Sequence, residues 1–151
     1  MKDLIPAMSC EDIYFACEME KYIATLEQVD IPTFHTLHAG VYTRTIILEA
    51  GQVASGVIIS VPTTLVVTGH LKLLLGKEVN EIEGFNVFIA EANRKQVALA
   101  IKKTTIVMIL KTDARTIAEA EAYFTQEPDR LASRLPSAIN HIKQGVLLCQ
   151  E

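Results

Sequence analysis

Short runs of β-branched and other apolar residues, separated by glycines, fill the chain between residues 38 and 110. The glycines fall at intervals short enough to be successive turns, which predicts a series of short antiparallel strands. The stretch shows no β-α-β alternation of the kind that a parallel sheet needs. The spacing therefore predicts a mainly β fold, either a sandwich, a jelly roll or a small barrel. We expect strands at residues 41–48, 57–61, 64–68, 71–75, 85–90, 96–100 and 105–110.

A helix is predicted before this β region. Ser9 and Asp12 form the pattern of a helix cap, and apolar residues then recur at spacings of mostly three and four. The pattern indicates an amphipathic helix over about residues 10–28. Its apolar stripe would cover either the outside of its own sheet or the same helix of a neighbouring subunit.

Further helix signals follow the β region. Thr116 and Glu119 form a full capping box, which predicts a helix that ends near Thr125. Pro128 is typical of the first position of a second, short helical stretch. A last helix is predicted over residues 137–144, closed by a C-cap glycine.

These elements predict a single domain, which suits a chain of 151 residues. Its three parts would be a helical arm at 1–32, a β-barrel at 33–111 and C-terminal helices at 112–151. The apolar residues 146–148 are expected to dock on the domain rather than remain in water.

The composition narrows the functional classes. Half of the residues are apolar, an excess that predicts burial in a homo-oligomer, yet no apolar run approaches the roughly 20 residues of a membrane span. The net charge of −4 argues against a long nucleic acid as partner. The three cysteines, Cys10, Cys17 and Cys149, are too widely spaced for a zinc site and odd in number for a disulfide framework. We expect a cytoplasmic protein.

Four sequence blocks give the chain a family resemblance. They are HAGVYTR at 38–44, GFNV at 84–87, NRKQ at 93–96 and TDARTIAEAE at 112–121. Together they resemble a group of small phage-encoded proteins with a cupin-like barrel, over about residues 33–134. The resemblance implies a cupin-type or jelly-roll antiparallel β-barrel and a viral gene, and it implies no defined reaction.

The metal ligands of metal-binding cupins are missing from the sequence. Their first motif carries an HxH pair and a Glu, but between Gly51 and Gly69 this chain has no His, Asp, Glu or Cys. In the second motif, Lys95 occupies the position of the third His. A protonated lysine is a poor ligand, because metal binding needs a deprotonated donor. We therefore predict neither a metal, nor a cofactor, nor an enzyme.

Cationic residues stand where the metal ligands would be. Lys95 is predicted to point into the barrel mouth, where its ammonium would attract a phosphate or carboxylate more strongly than in water. Arg94 would then face the opposite way or lie in the turn. On the strand at 41–48, Tyr42 and Arg44 share a face because side chains alternate. If that face is inward, an arginine and an aromatic ring enter one pocket, a pair suited to a nucleotide. If the other face is inward, Arg44 is a solvated or interface residue.

His38 and Asn86 complete the candidate ligand-binding set, each with a structural alternative. His35 and His38 precede the strand that carries Arg44, where a loop or core role is common for histidine. Asn86 has the alternative of bonding its own backbone. Glu119 and Glu121 are predicted to be capping and surface carboxylates, since residues two apart on a helix do not face each other.

These observations lead to a functional hypothesis. The chain would be a non-catalytic, homo-oligomeric binding protein of a phage that acts in the host bacterial cytoplasm. It would sequester a small anionic ligand, a cyclic di- or oligonucleotide signal of bacterial antiphage (CBASS-type) defence. Two alternatives stay open: a structural or virion-associated oligomeric protein, and a metal-independent cupin enzyme that acts on a nucleotide sugar.

Overall fold

A computed structural model of the protein describes residues 3–145. Eight strands and two α-helices form it, with two 3₁₀ helices after the second α-helix. The strands are β1 (Leu4–Ile5), β2 (Thr33–His38), β3 (Val41–Leu48), β4 (Val53–Ser55), β5 (Thr63–Leu75), β6 (Glu78–Ala90), β7 (Val97–Lys111) and β8 (Asn140–Gln144). The helices are α1 (Cys10–Ile23), α2 (Ile117–Phe124) and the 3₁₀ helices Pro128–Arg130 and Ala132–Arg134. Within the described residues, no helix is long and apolar enough to cross a membrane.

All eight strands belong to one sheet. Its order is β1-β6-β5-β7-β3-β2-β8, and β4 pairs with the N-terminal part of β7. The mainly β class is therefore confirmed. The sheet is mixed, however, because β1 pairs in parallel with β6 and β8 pairs in parallel with β2. It also remains open between β1 and β8, so the prediction of a closed antiparallel barrel is wrong.

The long strands β5 and β7 each replace a pair of predicted short ones, and β6 extends the strand predicted at 85–90 back to Glu78. Gly69 was expected to be a turn but lies inside β5, opposite Gly84 of β6. On its other side the β5–β7 register shifts around His70, which marks an irregularity in the ladder. There the Thr104 hydroxyl accepts a hydrogen bond from the backbone N–H of His70 at 3.0 Å. A side chain thus supplies a bond that the ladder lacks, and the chain continues where the glycine pattern indicated a turn.

Two other predicted elements differ from the structure. Residues 57–61 form no strand, and only an isolated bridge joins Ile59 to Arg94. The predicted helix at 137–144 is wrong, because β8 takes its place beside β2. In that strand His141 stacks on Phe34 with ring centroids 4.7 Å apart. This tertiary pairing outweighs the local helix signal. Residues 146–148, expected to dock, and Cys149 lie outside the described part of the chain.

The helices mostly follow their predicted caps. In α1, Ser9 accepts the backbone N–H of Asp12, but the helix ends at Ile23 rather than near residue 28. At this end the amide of Gln28 donates to the Ile23 carbonyl at 3.0 Å and so satisfies one of the carbonyls that the helix leaves without a partner. Thr116 caps α2 by accepting the N–H of Glu119, as predicted.

The core lies on the concave side of the sheet. Apolar side chains from β2, β3, β5, β6 and β7 meet Ala120 and Phe124 of α2 and Leu131 between the 3₁₀ helices. Helix α1 packs against its own chain at β4, β5 and β7, with Ala16 buried in the contact. The C-terminal segment therefore covers the core face of the sheet, and Phe124, Arg130, Leu131 and Ala132 line a cavity together with the strands.

The irregularity at Gly69 yields a stability prediction. Gly69 has φ = +141°, and a Cβ there would lie 2.6 Å from the Lys103 carbonyl oxygen and 2.7 Å from the Thr104 Cα. Gly69→Ala should therefore lower the free energy of unfolding by about 3 kcal/mol, from backbone strain plus overpacking. Urea unfolding followed by circular dichroism measures this.

Gly51→Ala is the matched control. Gly51 also has a positive φ, +84°, but an added Cβ would meet no atom within 4 Å. It should cost about 1 kcal/mol, from strain alone. Equal losses in the two variants would contradict the clash at Gly69.

Candidate functional site

A cavity of about 220 Å³ lies between the concave face of the sheet and the segments that cover it. Its wall is mostly apolar. The apolar lining includes Ile46, Leu65, Val67, Leu71, Leu73, Ile82, Ile106, Met108 and Leu131. These side chains come from β3, β5, β6, β7 and the 3₁₀ region, because alternate residues of each strand point to the same face.

Three arginines, Arg44, Arg94 and Arg130, also line the cavity. Among the described residues, the lining contains no Asp or Glu side chain. The charge of the wall therefore depends on which of the three guanidinium groups a carboxylate neutralises from behind.

Arg44 points inward from β3 and is neutralised by Glu121 of α2. Its Nη1 lies 3.1 Å from Glu121 Oε2, and its Nη2 donates to Ser133 Oγ at 3.0 Å. The guanidinium also lies over the Phe124 ring, 5.8 Å from the centroid. The face of β3 that carries Tyr42 and Arg44 is thus the inner one, although Tyr42 lies behind the cavity wall and not in it.

Glu121 is buried, so its assignment to the surface was wrong. Arg134 donates to its other oxygen at 3.0 Å, in addition to the bonds from Arg44 and Ser133. Burial would raise the pKa of Glu121, but the hydrogen bonds from Ser133, Arg134 and Arg44 outweigh it and lower the pKa below its ordinary value. Glu119, two residues away, stays exposed and accepts the Arg115 N–H, as a capping residue does.

Arg94 is fully buried and has no carboxylate partner among residues 3–145. Its guanidinium donates to the Glu91 carbonyl at 2.6 Å and to Thr63 Oγ1 at 2.6 Å, while its Nε has no hydrogen-bond partner. Burial lowers the pKa of Arg94 to about 10, although the negative charge of Glu91 acts in the opposite direction. The side chain remains cationic near neutral pH, so the wall carries one charge that forms no salt bridge within the described chain.

Lys95 and Arg94 exchange the roles predicted for them. Arg94 lines the cavity, whereas Lys95 does not. The Lys95 ammonium is buried on the other side of the strand, where it lies 2.7 Å from Glu20 Oε2 and 2.7 Å from the Gly56 carbonyl oxygen. The bridge between Ile59 and Arg94 fixes this alternation, and no local pattern in the sequence reveals it.

Glu20 of α1 connects the helix to both sides of the cavity mouth. It accepts hydrogen bonds from Lys95, from the Ser55 hydroxyl and from Arg130. Burial would raise the pKa of Glu20, but the bonds from Lys95 and Ser55 outweigh it and lower the pKa. Arg130 also pairs with Glu127 at 3.1 Å. The third cavity arginine is therefore neutralised as well.

A chain of hydrogen bonds runs behind Arg44. The Tyr42 hydroxyl lies 2.7 Å from His35 Nδ1, and His35 Nε2 lies 2.7 Å from Asn140 Oδ1. Because the amide oxygen can only accept, we assign the imidazole proton to Nε2, with Nδ1 accepting from Tyr42. Burial lowers the pKa of His35 and raises that of Tyr42, so both side chains are held neutral.

His38 and Asn86 do not reach the cavity. His38 is exposed at the end of β2, next to Gly145. The Asn86 amide donates to the Glu83 carbonyl at 3.0 Å, within its own strand. Asn86 thus takes the structural alternative considered for it, whereas His38 is neither a loop nor a core residue. A binding role for either would have to lie outside the cavity.

Sequence reasoning missed Gln96, which lines the cavity two residues after Arg94. Its amide Nε2 has no hydrogen-bond partner within the described chain. Strand alternation would have grouped Gln96 with Arg94 once Arg94 was known to point inward. Glu20, Glu121 and Arg130 were also missed, because the ion pairs Lys95–Glu20, Arg44–Glu121 and Arg130–Glu20 join residues that are 75, 77 and 110 positions apart along the chain.

Over residues 3–145, no cluster of three or more His, Cys, Asp or Glu side chains is arranged to hold a metal ion. What the site offers is a small apolar volume with a net positive wall and two unsatisfied N–H donors. This arrangement can attract and orient an anion.

Comparisons with known proteins reach solved structures only, since no family model and no curated protein matches the chain. A cupin-2 domain containing protein from Shewanella frigidimarina is 8% identical, with a TM-score of 0.42 over 62% of this chain and 91% of that one. The cupin_2 domain of an XRE family transcriptional regulator from Enterobacter cloacae is 12% identical, with a TM-score of 0.42 over 50% and 84%. Salicylate 1,2-dioxygenase from Pseudoaminobacter salicylatoxidans is 15% identical, with a TM-score of 0.45 over 57% and 24%. Two of these three structures are described as cupin-domain proteins.

The buried His35 yields a prediction of pH dependence. Its pKa is lower in the folded protein than the ordinary value near 6.5, so the unfolded chain binds the proton more readily. The stability that neutral His35 contributes is present above about pH 6.5 and is lost as the pH falls toward the lower folded value. His35→Gln should therefore flatten the loss of stability between about pH 7.5 and 5, measured by urea unfolding at each pH.

His38→Gln is the matched control, because it removes an exposed histidine from the same strand. If wild type and His35→Gln lose stability in parallel over this range, the buried neutral imidazole is not the cause.

Proposed function

We propose that this protein is a non-catalytic binding protein that holds a small anionic ligand in the cavity between the sheet and the C-terminal segment. The observation that supports the proposal best is Arg94, a fully buried arginine on the cavity wall with no carboxylate partner in the described chain.

The charge balance of the wall supports an anion. Arg44 has Glu121 as its partner, and Arg130 has Glu20 and Glu127, whereas Arg94 has only neutral acceptors. A buried charge without a counter-charge is costly, because its lost hydration is not replaced. An anion bound in the cavity would offset that cost, and the low dielectric of the apolar wall would strengthen the attraction.

Binding without turnover suits sequestration. The resemblance to small phage proteins makes a nucleotide signal of bacterial antiphage defence in the host cytoplasm one candidate for this anion, to be compared with other anions of the same charge. In that role tight binding is enough, and the protein needs no catalytic group.

A second candidate function, a structural or virion-associated oligomeric protein, is supported by a different surface. Phe85, Val87 and Ile89 of β6 point away from the core and are 71%, 45% and 64% exposed. They neighbour Val66 and Thr68 of β5 on the convex face. An apolar patch of this kind is typical of an interface, and we propose that it takes part in a homo-oligomer.

Calorimetric titration tests the binding proposal. The probes are cyclic di- and trinucleotides, mononucleotides, inorganic phosphate and aliphatic carboxylates, each titrated into the full chain. We expect at least one class to bind, and Arg94→Met to weaken that binding by about tenfold or more, because it removes the unpaired charge while keeping the side-chain length.

Lys95→Met is the matched control. Lys95 is as buried as Arg94 but pairs with Glu20 outside the cavity, so the variant should keep the affinity of the wild type. Circular dichroism establishes that both variants are folded. The proposal fails if no probe binds the wild type, or if folded Arg94→Met binds as tightly as the wild type does.

A further inference from the structure

We infer that the ligand of this cavity is an amphipathic monocarboxylate, a molecule with one carboxylate head and an apolar body. The inference rests on the proposed function, that the cavity holds an anion, and names the chemical class of that anion.

The apolar body follows from the wall. Leu65, Val67 and Met108 face the cavity from neighbouring strands, and Leu71 and Leu73 continue the same apolar surface along β5. The polar side chains of the lining are few, namely Thr33, Arg44, Ser55, Arg94, Gln96 and Arg130. A sugar or a nucleotide base placed against the apolar part would lose its hydrogen bonds to water without replacement, whereas a hydrocarbon would lose none.

The single negative charge follows from the pairing of the arginines. Two of the three wall arginines, Arg44 and Arg130, already have carboxylate partners within the chain. Arg94 is the remaining one: Glu91 acts on it electrostatically, but it forms no salt bridge in the described chain, so the wall has one positive charge without a directly bonded carboxylate. A monoanion neutralises it. A second negative charge would lie in an apolar volume without a counter-charge, at a large desolvation cost.

The head group follows from two unsatisfied donors. Arg94 Nε and Gln96 Nε2 are both buried without a hydrogen-bond partner among the described residues. Both side chains line the cavity, while Lys95 between them points to Glu20 on the other side. Only acceptors can satisfy two such donors, and a carboxylate is a planar group with two acceptor oxygens and no donor when ionised. We place the head at this pair.

The size of the cavity separates a small carboxylate from a cyclic dinucleotide. At about 220 Å³ the volume is below the roughly 300–1,000 Å³ of sites for drug-sized ligands. A cyclic dinucleotide also carries two phosphates, one more charge than the wall can neutralise. The geometry therefore favours a short-chain carboxylate over the nucleotide considered from the sequence.

A chain-length series tests the inference by calorimetry with the full-length protein. Straight-chain carboxylates from acetate to decanoate are titrated, each beside the primary alcohol of the same length. We expect affinity to rise roughly fourfold per methylene until the cavity is full and then to level off or fall. Each carboxylate should bind about tenfold or more tightly than its alcohol, and this difference should disappear in Arg94→Met.

A cavity-filling variant provides a measurement that would not change if Arg94 and the cavity had only a structural role. Ala98 lines the cavity from β7, and Ala98→Leu extends a side chain into it. The chain length of highest affinity should become shorter in Ala98→Leu, while the preference for carboxylate over alcohol persists. An unchanged optimum would overturn the placement of the apolar body in this cavity.

The outcomes separate the inference from the function on which it rests. If phosphate or a cyclic dinucleotide binds through Arg94 while no carboxylate does, the monocarboxylate class is wrong and the anion-binding function stands. If carboxylates and their alcohols bind equally, the cavity selects apolar bulk and the inference is wrong. If no anion of any class binds, the inference and the proposed function fail together.

Discussion

A buried charge needs an opposite charge close by, and this constraint organises the interior of the protein. Glu121 satisfies this requirement by pairing with Arg44 and Arg134, and these ion pairs connect α2 and the 3₁₀ region to β3. Glu20 meets it with Lys95 and Arg130, which fastens α1 to the strand start and to the C-terminal segment. Removing one member of such a cluster would leave the others buried and unpaired, a cost of several kcal/mol in comparable cases. Against these compensated clusters, Arg94 is the exception.

The parts of the fold that the sequence could predict are those that local pattern determines. Strand β3 was predicted with its observed bounds, and Thr116 marked the start of α2, because alternation and capping act over a few residues. Gly69 misled the prediction of β5, since a glycine with positive φ is as compatible with an irregular long strand as with a turn. Strand β8 could not be predicted, because its partner β2 lies more than 100 residues earlier in the chain.

The same distinction applies to the candidate site, where local pattern predicted some features and tertiary contacts determine the others. Alternation correctly grouped Tyr42 with Arg44 on one face, but only the structure shows which face is inward. The inward direction of Arg94 depends on its bridge to Ile59. Lys95 was wrongly assigned to the cavity, because the sequence of a loop does not determine which of two neighbouring side chains points inward. Glu20 and Glu121 carry no local signal at all, since an acidic residue on a helix is usually solvated.

The C-terminal segment that lines the cavity is held by ion pairs at two places, and these ion pairs differ in their exposure to solvent. At the Glu121 end the charges are buried, with the Arg44 and Glu121 side chains 12% and 5% exposed. At the other end Arg130 is 52% exposed, although it lines the cavity and bonds both Glu20 and Glu127. Exposed ion pairs contribute little to stability, because water competes for both partners. The ion pairs of Arg130 therefore contribute less to holding the C-terminal segment in place than those of Glu121, and they leave a partly exposed guanidinium in the same cavity wall as the buried one of Arg94.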